Sequence, residues 1–267
     1  MSGTRDMRGK ARATVRIKMP AGMRATAPII VCVLFLLLAL SSTAGAVTFI
    51  QQANRLQLIY AALLDFRPGQ SPNPVERSAW SLAFELIPMP EVDTRIGAKD
   101  EPIDSPPFVP RLRLRWVARW GLLLGISLNP DLEVQNYSAP WAAFEVGLRG
   151  TVGGLGVELR AHTIDGVVEG PITDSETKDR FEFENRGVDL RVGLPLGRWS
   201  VYGGGGKSGT VSALLVASDG ARIALDDEFT YLLAGIEFRG EDWTFTLEQN
   251  RTGDYLYHII LSLSFGL

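Results

Sequence analysis

The last eleven residues, Tyr257 to Leu267, read YHIILSLSFGL and admit few structures. Tyr257, Ile259, Leu261, Leu263, Phe265 and Leu267 fall on one face of an extended chain, while His258, Ser262, Ser264 and Gly266 fall on the other. A period of two makes a strand that separates two environments. Such a strand needs a partner along each edge, and segments with the same alternation stand upstream, so closure into a barrel is the economical architecture. Whether a core or a lipid bilayer wets the apolar face decides everything else.

Ten segments share the pattern. The first pairs Trp80, Leu82, Phe84 and Leu86 against Ser81, Ala83 and Glu85, and the second pairs Leu112, Leu114 and Trp116 against Arg111, Arg113 and Arg115. Eight more begin near Trp120, Ala142, Leu155, Val188, Trp199, Leu232, Trp243 and Tyr257. Phe181 and Phe183 are out of phase with Val188, which predicts a bulge or a late strand start near Asn185 to Gly187. Short turns are expected around Ala118-Arg119, Arg149 to Gly153, Pro195 to Arg198 and Gly240 to Asp242. Long loops are expected at Pro88 to Pro110, Asn129 to Pro140, Ile164 to Arg180 and Ser208 to Glu228, with a shorter one at Arg251 to Asp254. Short turns at one rim and long loops at the other are the habit of transmembrane barrels.

The tryptophans separate lipid from core. Trp80, Trp120, Trp199 and Trp243 each open a strand leaving the short-turn side, Trp116 closes one arriving there, and all five share parity with the apolar face. An indole girdle suits a headgroup boundary, whereas a soluble core has little reason to sort tryptophan to one rim. The opposite face would then line a lumen. It carries Arg111, Arg113, Arg115, Arg149, Arg160, Arg191 and Arg239 against Glu85, Glu145, Glu158, Asp189, Glu237 and Glu248. That near balance fits an interior filled by paired charges; the alternative is an ion path with Arg113 and Arg115 setting selectivity.

The amino terminus is different in kind. Arg5, Arg8, Lys10, Arg12, Arg16, Lys18 and Arg24 precede an apolar run from Ile29 to Leu40, followed by Ser41, Ser42 and Ala44-Gly45-Ala46. This is the order of a secretory signal peptide over residues 1–46, cleaved after Ala46, with Met19 or Met23 as alternative starts. The apolar run is short for a bilayer span. Removing residues 1–46 takes away seven of 27 basic and one of 30 acidic residues, leaving a net charge of about −9, which argues against nucleic-acid binding. It also takes away Cys32, and with it any disulfide or thiol chemistry. Residues 48–65 space Phe49, Ala53, Leu56, Ile59 or Tyr60, and Leu63 as a short amphipathic helix, ended by Arg67 to Pro74. Residues 47–78 therefore form an expected periplasmic helix and Pro-rich linker, which caps or plugs the lumen, ahead of a barrel over residues 79–267.

These features, with the closing LSLSFGL, resemble the bacterial outer-membrane β-barrel proteins as a class. The resemblance implies a Gram-negative outer membrane, contact with its lipid and glycolipid, and an insertion signal in the last strand read by the barrel-assembly machinery. It departs from the class pattern in that Phe265 is third from the end and Leu267 is last. The fold expected is a ten-stranded antiparallel transmembrane barrel; the role expected is a narrow, porin-like pore or a structural membrane protein, with no cofactor.

Other motifs carry less. Gly203 to Ser208, GGGGKS, lacks the leading glycine of a phosphate loop, because Val201 stands there, and TVSALLVAS after it reads as strand. Two histidines exclude a multi-histidine metal site. His162 and His258 have lumen parity near the long-loop rim, where Asp165, Glu248 or Asp254 could pair with one of them to activate water or a serine. A barrel hydrolase is thus the runner-up function, although no motif of the outer-membrane omptin proteases is present. A soluble periplasmic ligand-binding barrel comes third. Asp131, Glu133, Asp165, Glu169, Asp174, Glu176, Asp179, Asp226, Asp227 and Glu228 are read as acidic loops, solvated or loosely bridged to glycolipid by divalent cations.

Overall fold

The computed structural model describes residues 49–73, 78–89, 108–129, 131–174, 176–253 and 256–267. The leader and most of the Pro88 to Pro110 segment lie outside them, as does Asp254. Ten antiparallel strands close in sequence order: β1 (Ala79–Pro88), β2 (Phe108–Val117), β3 (Leu122–Asn129), β4 (Trp141–Val152), β5 (Leu155–Gly170), β6 (Asp179–Leu196), β7 (Trp199–Leu215), β8 (Arg222–Arg239), β9 (Trp243–Thr252) and β10 (Leu256–Gly266). The last strand seals the barrel against the first, with Leu82 opposite Phe265 and Leu86 opposite Leu261. No edge is left open.

The outer wall carries the apolar face. Leu124, Phe144, Leu159, Leu190, Ile236 and Ile259 are each at least two-fifths exposed, which in water would be a severe liability and in lipid is the ordinary arrangement. Trp80, Trp120, Trp199 and Trp243 stand exposed at the short-turn rim. Trp116 joins them 6.3 Å from Trp80, and Phe238 packs between Trp199 and Trp243 at 4.8 and 5.5 Å. The short turns are tight: Gly153 and Gly154, both at positive φ, form the two-residue hairpin between β4 and β5. Trp141, the remaining tryptophan, points inward near the other rim.

The barrel is taller on one side, and here the sequence expectation needs correction. β5 to β8 have 16, 18, 17 and 18 residues, against 8 to 12 for the others. The stretches 164–180 and 208–228, expected as loops, are mostly strand, and the true connections are 171–178 and 216–221. Asp165, Glu169, Asp179, Asp226, Asp227 and Glu228 therefore lie on strands. Nor is there a bulge in β6: its pairing with β5 and β7 runs without a break from Asp179 to Leu196. What changes is polarity. Below Gly187 the outward residues are Val188, Leu190, Val192 and Leu194; above it they are Arg186, Glu184, Glu182 and Arg180, while Phe181 and Phe183 face inward. β6 and β8 leave the bilayer, exchange lipid for water outside and turn their apolar residues inward; β5 and β7 make the change less completely, keeping Val167 and Val211 on the outer face. The nine residues from Val188 to Leu196 are about the length that crosses a hydrocarbon core as a tilted strand.

Those inward aromatics need something apolar to cover. It is a helix, α1, over residues 49–64, lying inside the barrel in the half nearer the long connections. Ala53, Leu56, Ile59, Tyr60, Leu63 and Leu64 pack against Val168, Phe181, Phe183, Leu214, Phe229 and Leu233 of the wall. Tyr60 meets Phe181 at 5.7 Å between ring centroids. Burial pushes the Tyr60 phenol up, so it stays neutral. The helix expected to cap or plug the lumen from the periplasmic side lies within the barrel, toward the opposite rim.

Candidate functional site in the lumen

From α1 the chain descends through the barrel toward the tryptophan rim, where β1 begins. An extended segment inside a barrel leaves every backbone polar group to be satisfied by the wall. Each step of residues 65–73 meets a partner. Asp65 accepts from Ser208 at 2.9 Å and lies 3.1 Å from His162 Nε2. Phe66 has the guanidinium groups of Arg111 and Arg160 each 5.4 Å from its ring. Arg67 pairs with Asp65 at 3.1 Å, donates to Thr252 at 2.8 Å and stacks 3.9 Å over the Tyr231 ring. Lower down, Pro68 O accepts from Arg191 at 2.6 Å, and the Gly69 amide donates to Glu85 at 3.0 Å. Gln70 Oε1 receives both Arg113 and Arg115, at 2.9 and 3.0 Å. The Ser71 amide donates to Glu237 at 2.9 Å, and Asn73 O accepts from Arg149 at 3.1 Å. Gly156 and Gly193 are direct neighbours on β5 and β6, and a Cβ on either would run into Pro72, so the paired glycines make the space through which the segment passes.

Around this segment the wall charges form a chain. Glu85 holds Arg111 at 2.5 Å and Arg113 at 3.0 Å; Glu145 holds Arg115 at 2.8 Å and Arg160 at 3.3 Å. Arg160 also pairs with Asp189, which holds Arg191 at 3.1 Å, and Arg191 reaches Glu248 at 3.2 Å. Glu158 joins Arg115 to Arg149. Guanidinium and carboxylate groups alternate and pair, and the planar forks of arginine suit this because each can meet two acceptors at once, although among the described residues Arg67 Nη2, Arg111 Nη1 and Arg191 Nη2 are left without a hydrogen-bond partner.

Twelve of the thirteen lumenal residues expected from parity face inward and are buried; Arg239 stands at the short-turn mouth, half-exposed, 3.4 Å from Glu237. Arg111, Arg113, Arg115, Arg160 and Arg191 are each 1 % exposed or less, so among the described residues the groups that an ion would have to pass are all but closed to water. Parity alone could not find Asp65, Arg67, Gln70 and Asn73, because they belong to a segment with no strand pattern. One signal was available: inward aromatics above the bilayer imply an apolar element inside, and residues 49–64 are the amphipathic stretch at hand.

The histidines are placed as expected but partnered differently. Asp165 faces outward and Glu248 is engaged by Arg191, Tyr202 and Asn250, so neither serves a histidine. His162, Ser208 and Asp65 do gather, with His162 Nε2 at 3.4 Å from Ser208 Oγ. The side chains of His162 and Asp65 are wholly inaccessible, and the Ser208 hydroxyl donates to the carboxylate rather than to the imidazole. The GGGG run lies mid-strand in β7, where a Cβ at Gly206 would strike Tyr231 and Asp189.

No protein-family model matches the chain, and no curated protein is significantly similar to it. Solved structures give distant likenesses. The translocator domain of the autotransporter NalP from Neisseria meningitidis is similar over 85% of this chain and 97% of its own, at 12% identity and a TM-score of 0.35. Ail, the attachment invasion locus protein of Yersinia pestis, matches 71% of this chain and 95% of its own at 11% identity and 0.29. The toluene transporter TodX of P. putida matches 78% and 71% at 11% and 0.31. The architecture itself, of outer-membrane type, rests on the closed ladder and apolar belt of this chain.

Proposed function

We propose that this chain is an integral outer-membrane protein, exported by a cleaved leader, whose barrel is structural and carries its own permanent plug. Its long-connection rim, with the start of α1, faces the cell exterior. The lipid and glycolipid around it and the assembly machinery acting on β10 are its partners. The observation that supports a filled lumen over a conducting one is the burial of Arg113 and Arg115: the two groups best placed to set selectivity are spent holding Gln70 and the wall carboxylates. Conductance of the refolded mature protein in planar bilayers tests this. A folded, inserted barrel should give no stable steps. Steps whose anion preference falls in Arg113→Ala would overturn it and make the protein a pore.

A hydrolase is the second reading, supported only by the gathering of His162, Ser208 and Asp65. It requires those residues to become accessible. A fluorophosphonate that labels Ser208 in the folded protein, and not in His162→Ala, would favour it over the structural role.

A further inference from the structure

On β5, β6 and β7 the outer wall passes from lipid-facing to water-facing within one or two residues, and a groove of about 610 Å³ crosses that line. Its floor is apolar, formed by Val146, Ala161 and Val188 with the Phe144 ring at its side. Its upper edge is Thr163, Arg186 and Lys207. Thr163 is directly opposite Arg186 in the ladder, and Arg186 is opposite Gly209 and therefore diagonal to Lys207, which stands two residues along β7 from Gly209. A Cβ on Gly209 would find nothing closer than 4.0 Å, so the surface between the guanidinium and the ammonium is bare.

The order of charges matters. Arg186 and Lys207 are the first charged side chains met on leaving the apolar belt along β6 and β7. Their carboxylate partners stand farther from the bilayer: Glu184 two residues up the same strand, 2.5 Å from Arg186, and Glu228 beside Gly209, 2.7 Å from Lys207. A negative group at the headgroup level therefore meets two cations before any acid. Above them Asp165, Glu182 and Arg180 present acceptors and donors to water, a surface suited to hydroxyls and superfluous to a simple phospholipid.

We propose that this groove binds a phosphorylated glycolipid of the outer leaflet. Its acyl chains lie over Val146, Ala161 and Val188, a phosphate sits over Gly209 between Arg186 and Lys207 with the Thr163 hydroxyl donating to it, and its sugars rest against the polar wall above. The inference rests on the outer-membrane reading, with the long connections outside.

The test uses the full mature barrel in zwitterionic nanodiscs, with insertion established first by protease protection of the strands. Bisphosphorylated lipid A, its dephosphorylated counterpart and phosphatidylglycerol are offered in turn, and bound lipid is counted by native mass spectrometry. Lipid A is expected to be retained, and to be held about tenfold more weakly or worse by Arg186→Gln/Lys207→Gln, since two charge-assisted contacts are lost. Arg119→Gln, exposed at the opposite, short-turn rim, should bind as the parent does. Equal retention of the dephosphorylated lipid or by the double variant would overturn the phosphate site. Phosphatidylglycerol held as well as lipid A would overturn the glycolipid. Failure to insert would instead overturn the membrane reading, and this inference with it.

Discussion

Glu85 is the sharpest point at which to perturb the lumen. Its carboxylate is inaccessible and receives three donors: Arg111 at 2.5 Å, Arg113 Nε at 3.2 Å and the Gly69 amide of the plug at 3.0 Å. Glu85→Gln keeps the shape but removes the charge and turns one acceptor into a donor that must face another donor. Removing one partner of a buried pair costs about 3–5 kcal/mol, because the charges left behind stay desolvated. Glu133→Gln is the control: its pair with Lys178 is also 3.0 Å but more than half-exposed on both sides, so its loss should cost at most about 1 kcal/mol. With a urea slope of about 2 kcal/mol per molar, Glu85→Gln should lower the unfolding midpoint by about 1.5–2.5 M, and Glu133→Gln by about 0.5 M or less. Reversible folding into micelles, followed by the mobility difference between folded and unfolded barrel, reads both. A Glu85→Gln midpoint within about 0.5 M of the parent would mean that this carboxylate is hydrated, and the filled lumen would be refuted.

Two further substitutions probe the packing. Phe181→Ala removes a ring stacked 5.6 Å from Phe183 and packed on Tyr60, and should cost about 3–5 kcal/mol by the same urea measurement; a silent change would mean that α1 does not rest on β6. Gly187→Ala would place a methyl 2.5 Å from His162 Cε1 and against the Ser208 hydroxyl, and should lower stability by about 1–3 kcal/mol; an unchanged midpoint would show that the cluster is looser than these distances.

Much of this was legible in the chain because a membrane barrel reports its lipid side plainly. Leu190 and Val192 could only face lipid once Asp189 and Arg191 faced in, and five tryptophans marked one rim. The same rule misled above the bilayer. A reading that equates apolar with outward takes Phe181 and Phe183 for a bulge, whereas the solvents have exchanged places and the strand has not changed phase. The helix was legible, and so was a role as cap or plug, but not the rim toward which it sits. Its position depends on contacts such as Asn185 to Ala61 O and Gln70 to Arg115, which join residues far apart in sequence and have no local pattern. Ser208, His162 and Asp65 likewise converge from three separate stretches.

A filled lumen requires residues 61–73 to occupy it, and amide hydrogen exchange of the folded protein measures that directly. The amides of Gly69 and Ser71 are bonded to buried carboxylates, and the segment around them is almost wholly inaccessible. They should exchange as slowly as the paired amides of β1 and β2, opening only with the barrel. Exchange as fast as that of the exposed residues 131–133 would place the segment outside the lumen and contradict the account.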